Sequence, residues 1–163
     1  MASVLIALGG NVGDVRMTFR KAIGNICGMT QAALIERSAD YTTPPVGDVP
    51  QDHFVNACIE IETDLDPHAL LFTLHKIEHK FGRNRVAEGH WGPRPLDLDM
   101  IAYDDVIIAK PELHLPHPRA TTRAFVLVPL AEIAPDRVIS GKTVSEHLKA
   151  LSTDGIEKLP DLD

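Results

Sequence analysis

Asp97 and Asp99 stand two residues apart in the run Arg94-Pro95-Leu96-Asp97-Leu98-Asp99. On an extended strand that spacing points both carboxylates the same way, while Leu96, Leu98 and Met100 turn to the core. Like charges on one face repel unless a cation lies between them. A pair of magnesium ions meets that need and can clamp the oxygens of a polyphosphate. The bland alternative is a solvated strand face. Ile101 and Tyr103, bulky residues expected to continue the face of the acids, argue against it. Arg83, Arg85 and Arg94 flank the pair, with His90 and Trp91 among them. Phosphoryl transfer is catalysed mainly by positioning and by neutralising developing charge, so arginines on a closing loop are the expected partners of such acids.

A second set of residues suits a flat ligand. Thr43-Pro44-Pro45 is stiff, because proline fixes φ and removes a donor, so the remaining backbone groups are held in place. Those groups, with Asn56, could read the edges of a planar heterocycle, and Phe54 offers a ring for stacking. The plain alternative is a rigid connector against a sheet. His114-Leu115-Pro116-His117-Pro118-Arg119 leads into Arg123 and Phe125, which matter only if this loop meets the acids. Two motifs are set aside. Gly9-Gly10-Asn11-Val12-Gly13-Asp14 lacks the spacing of either phosphate-binding glycine motif and reads as a tight turn feeding a capped helix. His75-Lys76-Ile77-Glu78-His79 matches an inverted zinc-protease pattern, but no further carboxylate ligand stands out downstream.

The elements that must carry these residues follow from periodicity. Val4 to Leu8 reads as a buried strand, and Asp14 can cap a helix with the apolar face Val15, Phe19, Ala22, Ile23 and Ile26. Ala33 to Tyr41 partly alternates, like a strand. Phe54 to Thr63 alternates cleanly, with Val55, Ala57, Ile59 and Ile61 on one face. Asp66, Pro67 and Gly82 bound a second helix with the stripe Leu70, Leu71, Leu74, Ile77 and Phe81. Leu96 to Tyr103 is another strand, and Thr143-x-x-Glu146 opens a short last helix. These elements predict an α+β sandwich, with helices on both faces of a mainly antiparallel sheet, as a single domain over 1–163. The long loops at about 43–53 and 82–95 are the expected functional segments.

A chain of 163 residues, 44% hydrophobic and 24% charged, suits one globular unit. Its net charge of -7 argues against a nucleic-acid surface but permits a local cationic pocket for ATP. Cys27 and Cys58 form no C-x-x-C pattern and read as reduced thiols, which points to the cytoplasm. No export signal, membrane span or obligatory protein partner is expected.

Taken together, these residues resemble the family of 6-hydroxymethyl-7,8-dihydropterin pyrophosphokinases. The matching pieces are Leu8 to Asp14, Tyr41 to Gly47, Phe54 to Ala57, Gly82-Arg83, Trp91 to Asp99, Pro116 to Arg119 and Arg123 to Phe125, in the family's order over about positions 4 to 136. The resemblance implies a ferredoxin-like αβα sandwich with mobile active-site loops. It implies that diphosphate passes from ATP to the pterin hydroxymethyl group in folate biosynthesis, leaving AMP. Asp97 and Asp99 become ligands of two Mg2+ ions, and Arg83 and Arg94 fall at the catalytic arginines. On the pterin side it implies Thr43, Pro44, Pro45, Val46, Phe54, Asn56, Trp91 and Phe125. On the nucleotide side it implies His75, Glu78, Arg85, Trp91, Arg94, Met100, His117 and Arg123. Phe54 stands where a tyrosine is frequent, His75 where glutamine is expected and Pro118 where a tyrosine is common.

Two other functions would use the acid pair. A two-metal phosphodiesterase would hydrolyse its substrate without a pterin, and a nucleotide-binding module would hold MgATP without turnover. Neither needs a second, planar-ligand pocket between Phe54 and Phe125.

Overall fold

The computed structural model describes residues 1–45, 51–82 and 93–162. Strand β1 (Ala2–Gly10) leads into helix α1 (Val15–Thr30), then β2 (Ala33–Arg37), β3 (Tyr41–Thr43) and β4 (Phe54–Thr63). Helix α2 (Pro67–Lys80) precedes β5 (Asp97–Tyr103) and a small hairpin of β6 (Ile108–Lys110) and β7 (Leu113–Leu115). Helix α3 (Ala124–Ile133), a hairpin of β8 (Val138–Ile139) and β9 (Lys142–Thr143), α4 (Val144–Lys149) and β10 (Glu157–Lys158) follow. The main sheet runs β10-β3-β4-β1-β5, with β2 also on β4, and every pairing in it is antiparallel.

The helices start where the sequence supplies acceptors for orphan amides. Asp14 accepts from Met17 N at 3.2 Å, Asp66 accepts from Ala69 N at 2.8 Å, and Thr143 and Glu146 form a reciprocal capping box. After α2, Gly82 takes φ +94, a conformation that costs a side-chain-bearing residue far more.

Alternation along the strands divides the core in two. Val4, Ile6 and Leu8 of β1, with Ala57, Ile59 and Ile61 of β4 and Leu98 and Met100 of β5, face Phe19, Ile26, Leu70, Leu74 and Ile77 of α1 and α2. Leu5, Ala7, Cys58, Ile101 and Ala102 face Val126, Leu127 and Leu130 of α3 on the other side. The sandwich expected from the sequence is therefore the architecture observed.

Three local expectations change. The first strand is longer, because Gly9 and Gly10 extend it rather than turn. The segment from Ala33 is two strands. Between them Ser38 exchanges bonds with Cys58, its amide donating to Cys58 O and its Oγ accepting from Cys58 N, both at 2.9 Å. On β5 the register against β1 shifts between Leu5 and Ile6, so Ile101 is a bulge residue. Ile101 and Ala102 both enter the α3 side of the core, and Tyr103 returns to the opposite side. Tyr103 thus does not share the face of the acids.

The tail is pinned by one buried carboxylate. Asp40, 3% exposed, pairs with Arg16 at 2.9 Å and Arg37 at 3.1 Å, and its carbonyl accepts from Leu159 N. Arg16 also donates to Pro160 O, so β10 is held against β3 from both sides. Asp40→Ala strands two partly buried guanidinium groups and should cost about 3 kcal/mol in denaturant unfolding. An unchanged unfolding midpoint would contradict this account of the tail.

Candidate functional site

Cross-strand register assembles the site. Asp97 on β5 lies opposite Gly9 on β1, and Gly9 lies opposite Asn56 on β4. Strands sit about 4.8 Å apart, so this row spans about 10 Å between the Asn56 and Asp97 backbones. The face is the one that α3 covers further along the sheet, where Ala7 pairs with Asp99 and Cys58. On β3, Thr43 is 2% exposed and its hydroxyl donates to Asn56 Oδ1 at 2.7 Å. That bond ties the Asn56 side chain to β3. A Cβ on Gly9 would lie 3.0 Å from Asn56 Nδ2, so the glycine is what lets that side chain lie over the central strand.

The register also brings together residues from four separate segments. Arg94, a few residues before β5, sets a guanidinium nitrogen 3.7 Å from Asp97 Oδ2, with side chains 14% and 22% exposed. That separation exceeds a hydrogen bond, so the contact is a charge pair. Arg123 precedes α3 and lies over the Phe125 ring, 5.6 Å from its centroid. Burial pushes the Arg123 pKa down, and the nearby Asp99 and Asp97 carboxylates oppose that shift. The positive end of α3 begins at the same place, adding to the cationic character of the pocket.

His117 enters after β7, where its amide donates to Ile101 O at 2.8 Å. Its Nδ1 accepts from Arg119 N at 3.1 Å. Nε2 therefore carries the proton of the neutral ring and is a donor. Burial, reinforced by the Arg123 charge and partly opposed by Asp97, lowers the ring's pKa from 6.5 to about 4. At pH 7 the ring is neutral.

Other expected site residues occupy quite different settings. Phe54 and Phe125 are half-buried and Pro44 is exposed at the edge of the site. His75 is exposed on α2, whereas Glu78 on the same helix is 2% exposed and its Oε2 accepts from Leu98 N at 2.7 Å. That bond anchors β5 midway between its two acids. Met100 is 4% exposed within the core, so its side chain faces away from the acids. Val46, Arg83, Arg85 and Trp91 lie outside the described residues.

Two features of the site escape a reading of motifs. Gly10 approaches the other chain segment so closely that a Cβ would meet the Pro95 carbonyl oxygen at 2.6 Å. Arg119, not singled out from the sequence, contributes charge beside His117 and Arg123. The glycine pair itself was visible; the close approach that requires it depends on which strand lies alongside.

A divalent cation fits the donor set. Asp97 and Asp99 supply hard oxygens from backbone positions about 7 Å apart along the strand. Among the described residues no group of three or more His, Cys, Asp or Glu could enclose a metal. Magnesium suits such a partial set, since it usually completes its shell with water and phosphate oxygens.

The sequence profile of the 7,8-dihydro-6-hydroxymethylpterin-pyrophosphokinase (HPPK) family matches residues 5–135. The chain is 45% identical to the 2-amino-4-hydroxy-6-hydroxymethyldihydropteridine pyrophosphokinase of Methylorubrum extorquens, over 98% of this chain and 99% of that protein. It is 38% identical to the protein of the same name from Pseudomonas aeruginosa, over 96% of each. Its fold is similar to wild-type HPPK-DHPS of Plasmodium falciparum, with TM-score 0.71 and 13% identity over 91% of this chain. The match covers 44% of that longer chain, so that likeness concerns the fold alone.

The neutral His117 has a measurable consequence. Its folded pKa of about 4 lies below the ordinary 6.5, so between those values the unfolded chain binds a proton that the folded chain does not. This contribution to stability is present above pH 6.5 and is lost as pH falls toward 4. Imidazole NMR of the ligand-free protein should show His117 titrating near pH 4, and His117→Gln should flatten the stability profile across that window. A midpoint near 6.5 would overturn the buried, neutral assignment.

Proposed function

The chain belongs to the 7,8-dihydro-6-hydroxymethylpterin-pyrophosphokinase family, and from that membership we propose how its residues divide the work of the reaction. The enzyme transfers the pyrophosphoryl group of ATP to the hydroxymethyl group of the dihydropterin, a step of folate biosynthesis. The observation that supports the assignment of residues is the row Asn56–Gly9–Asp97, with the carboxamide bonded to Thr43 at one end and the first of the two acids at the other.

Phe54 and Phe125 stack the two faces of the pterin, and Asn56 with the backbone of Thr43 to Val46 binds its edges. The Thr43 hydroxyl holds the Asn56 carboxamide in place beside the ring. Arg94 and Arg83 neutralise charge that grows on the phosphates in the transition state. Arg85, Trp91, His75 and Arg123 bind the nucleotide, and His117 donates from Nε2. Glu78 and Met100 act through the strand: the first anchors β5 by its backbone, and the second seats it in the core. Trp91 contributes to binding both ligands.

In the reaction the pterin hydroxymethyl oxygen bonds to the β-phosphorus of ATP. The bond from that phosphorus to the α,β-bridging oxygen breaks, AMP leaves with the oxygen, and the hydroxyl proton passes to water. Asp97 and Asp99 would hold magnesium, which would supply positive charge to neutralise the polyphosphate. Alignment of alcohol and phosphorus supplies much of the remaining acceleration. Residues 1–163 act as one domain in the cytoplasm, with no obligatory protein partner. Among the described residues no helix is long and apolar enough to cross a membrane.

Phosphorus NMR of protein mixed with MgATP and the dihydropterin alcohol should show AMP and a pterin diphosphate ester. Accumulation of ADP and a monophosphate ester would sink the proposal. Arg94→Ala removes one charge-stabilising donor, worth about 2.7–4 kcal/mol, and should lower kcat by about two to three orders of magnitude. A change confined to KM would mean that Arg94 only binds.

A further inference from the structure

Asn11 follows β1 and makes no hydrogen bond within its own element among those described. Its backbone amide donates to Arg94 O at 3.0 Å, and its Oδ1 accepts from Arg94 N at 2.9 Å. Its Nδ2 donates to Gln51 Oε1 at 2.9 Å and to Asp52 O at 3.1 Å. The residue is 8% exposed, so water competes little for these bonds. The amide orientation is unambiguous, because one end faces a backbone N–H and the other a backbone carbonyl.

These partners lie at the exits of the two longest connections in the chain. Residues 51–52 immediately precede Phe54, where β4 begins, and Arg94 precedes Asp97, where β5 begins. Asn11 uses both its backbone and its side chain to grip Arg94, as a pair of facing strand residues would. The other end of the same carboxamide grips the approach to Phe54. One rigid group about the length of a single side chain thus joins the two halves of the site.

We propose that Asn11 is a positioning residue that couples the pterin side of the site to Arg94, so that ordering one exit orders the other. This rests on the roles given above to Phe54 and Arg94. Coupling of this kind is reciprocal: an ATP analogue should tighten pterin binding by the factor with which a pterin tightens the analogue.

The donor and acceptor ends can be tested apart. Asn11→Asp keeps an acceptor for Arg94 N but sets an oxygen against the Asp52 carbonyl, so it should raise the pterin KM about ten-fold and leave kcat within about three-fold. Asn11→Ala loses both ends and should lower kcat about ten-fold as well. In titration calorimetry with a nonhydrolysable MgATP analogue and a pterin analogue, the mutual tightening should fall toward one in Asn11→Ala. Amide exchange at Arg94, read by NMR without substrates, should quicken in Asn11→Ala and stay near wild type in Asn11→Asp. Equal kinetic losses in both folded variants, or undiminished coupling in Asn11→Ala, would overturn the proposal. If Asn11→Ala does not fold, the isosteric Asn11→Asp decides alone through its KM against kcat split and its Arg94 exchange. Wild-type protein that turns over no dihydropterin would instead defeat the function proposed above, while the exchange comparison would still decide whether Asn11 clips Arg94.

Discussion

The site depends on a side chain that is absent. β1 is the central strand, flanked by the strand of Asn56 and the strand of Asp97, and Gly9 is its residue between them. Any Cβ there would sit 3.0 Å from Asn56 Nδ2 and shift the carboxamide. The neighbour that must give is the amide bonded to Thr43. Gly10 plays the same part on the opposite face, where the Pro95 carbonyl would be 2.6 Å from a Cβ. The two glycines let the acid-bearing segment and the amide-bearing strand approach one backbone from either side. That approach brings the Asn56 and Asp97 backbones to about 10 Å from one another across one strand.

Rigidity behind the face matters as much as the groups upon it. β5 is an edge strand, and an edge leaves backbone donors without a ladder partner. Glu78 supplies one, reaching from α2 to Leu98 N between the two acids. Leu96, Leu98 and Met100 seat the same strand against α1 and α2. Asp97 and Asp99 therefore project from a strand held on its reverse by apolar packing and at its edge by a buried carboxylate. Flexible carboxylates would lose more entropy on gathering a cation, so a fixed strand lowers that cost.

Much of this was legible in the sequence wherever periodicity is local. The alternation of Phe54 to Thr63, the caps Asp14 and Asp66, and the same-side geometry of Asp97 and Asp99 need only near neighbours, and the structure has them as expected. What escaped were features created by partners distant in the chain. Gly9 and Gly10 look like turn residues until Asn56 and Pro95 lie beside them. The bulge at Ile101 is invisible until β5 is set against β1, and it moves Tyr103 to the other face. Asn11 carries no motif, because its meaning lies in Gln51, Asp52 and Arg94, some 40 and 83 positions away. The split of the Ala33 to Tyr41 segment likewise follows from the bonds Ser38 makes with Cys58 on β4.

A net charge of -7 would seem ill suited to binding a polyphosphate, and the layout of the sheet removes the conflict. Acids gather at the end where β1 begins: the terminal amine of Met1 lies 3.7 Å from Asp64, and Asp104 accepts from Ser3 N. Ser3 and Gly9 are six residues apart on an extended strand, which is about 20 Å. The screening length at physiological ionic strength is about 8 Å, so exposed acids at one end contribute little to the potential at the other. The site end instead collects Arg94, Arg119, Arg123 and the start of α3 around two carboxylates and a neutral imidazole. Local charge, not the total, is what an incoming nucleotide meets. The neutrality of His117 follows from burial and the same crowd of cations, and it leaves Nε2 a donor.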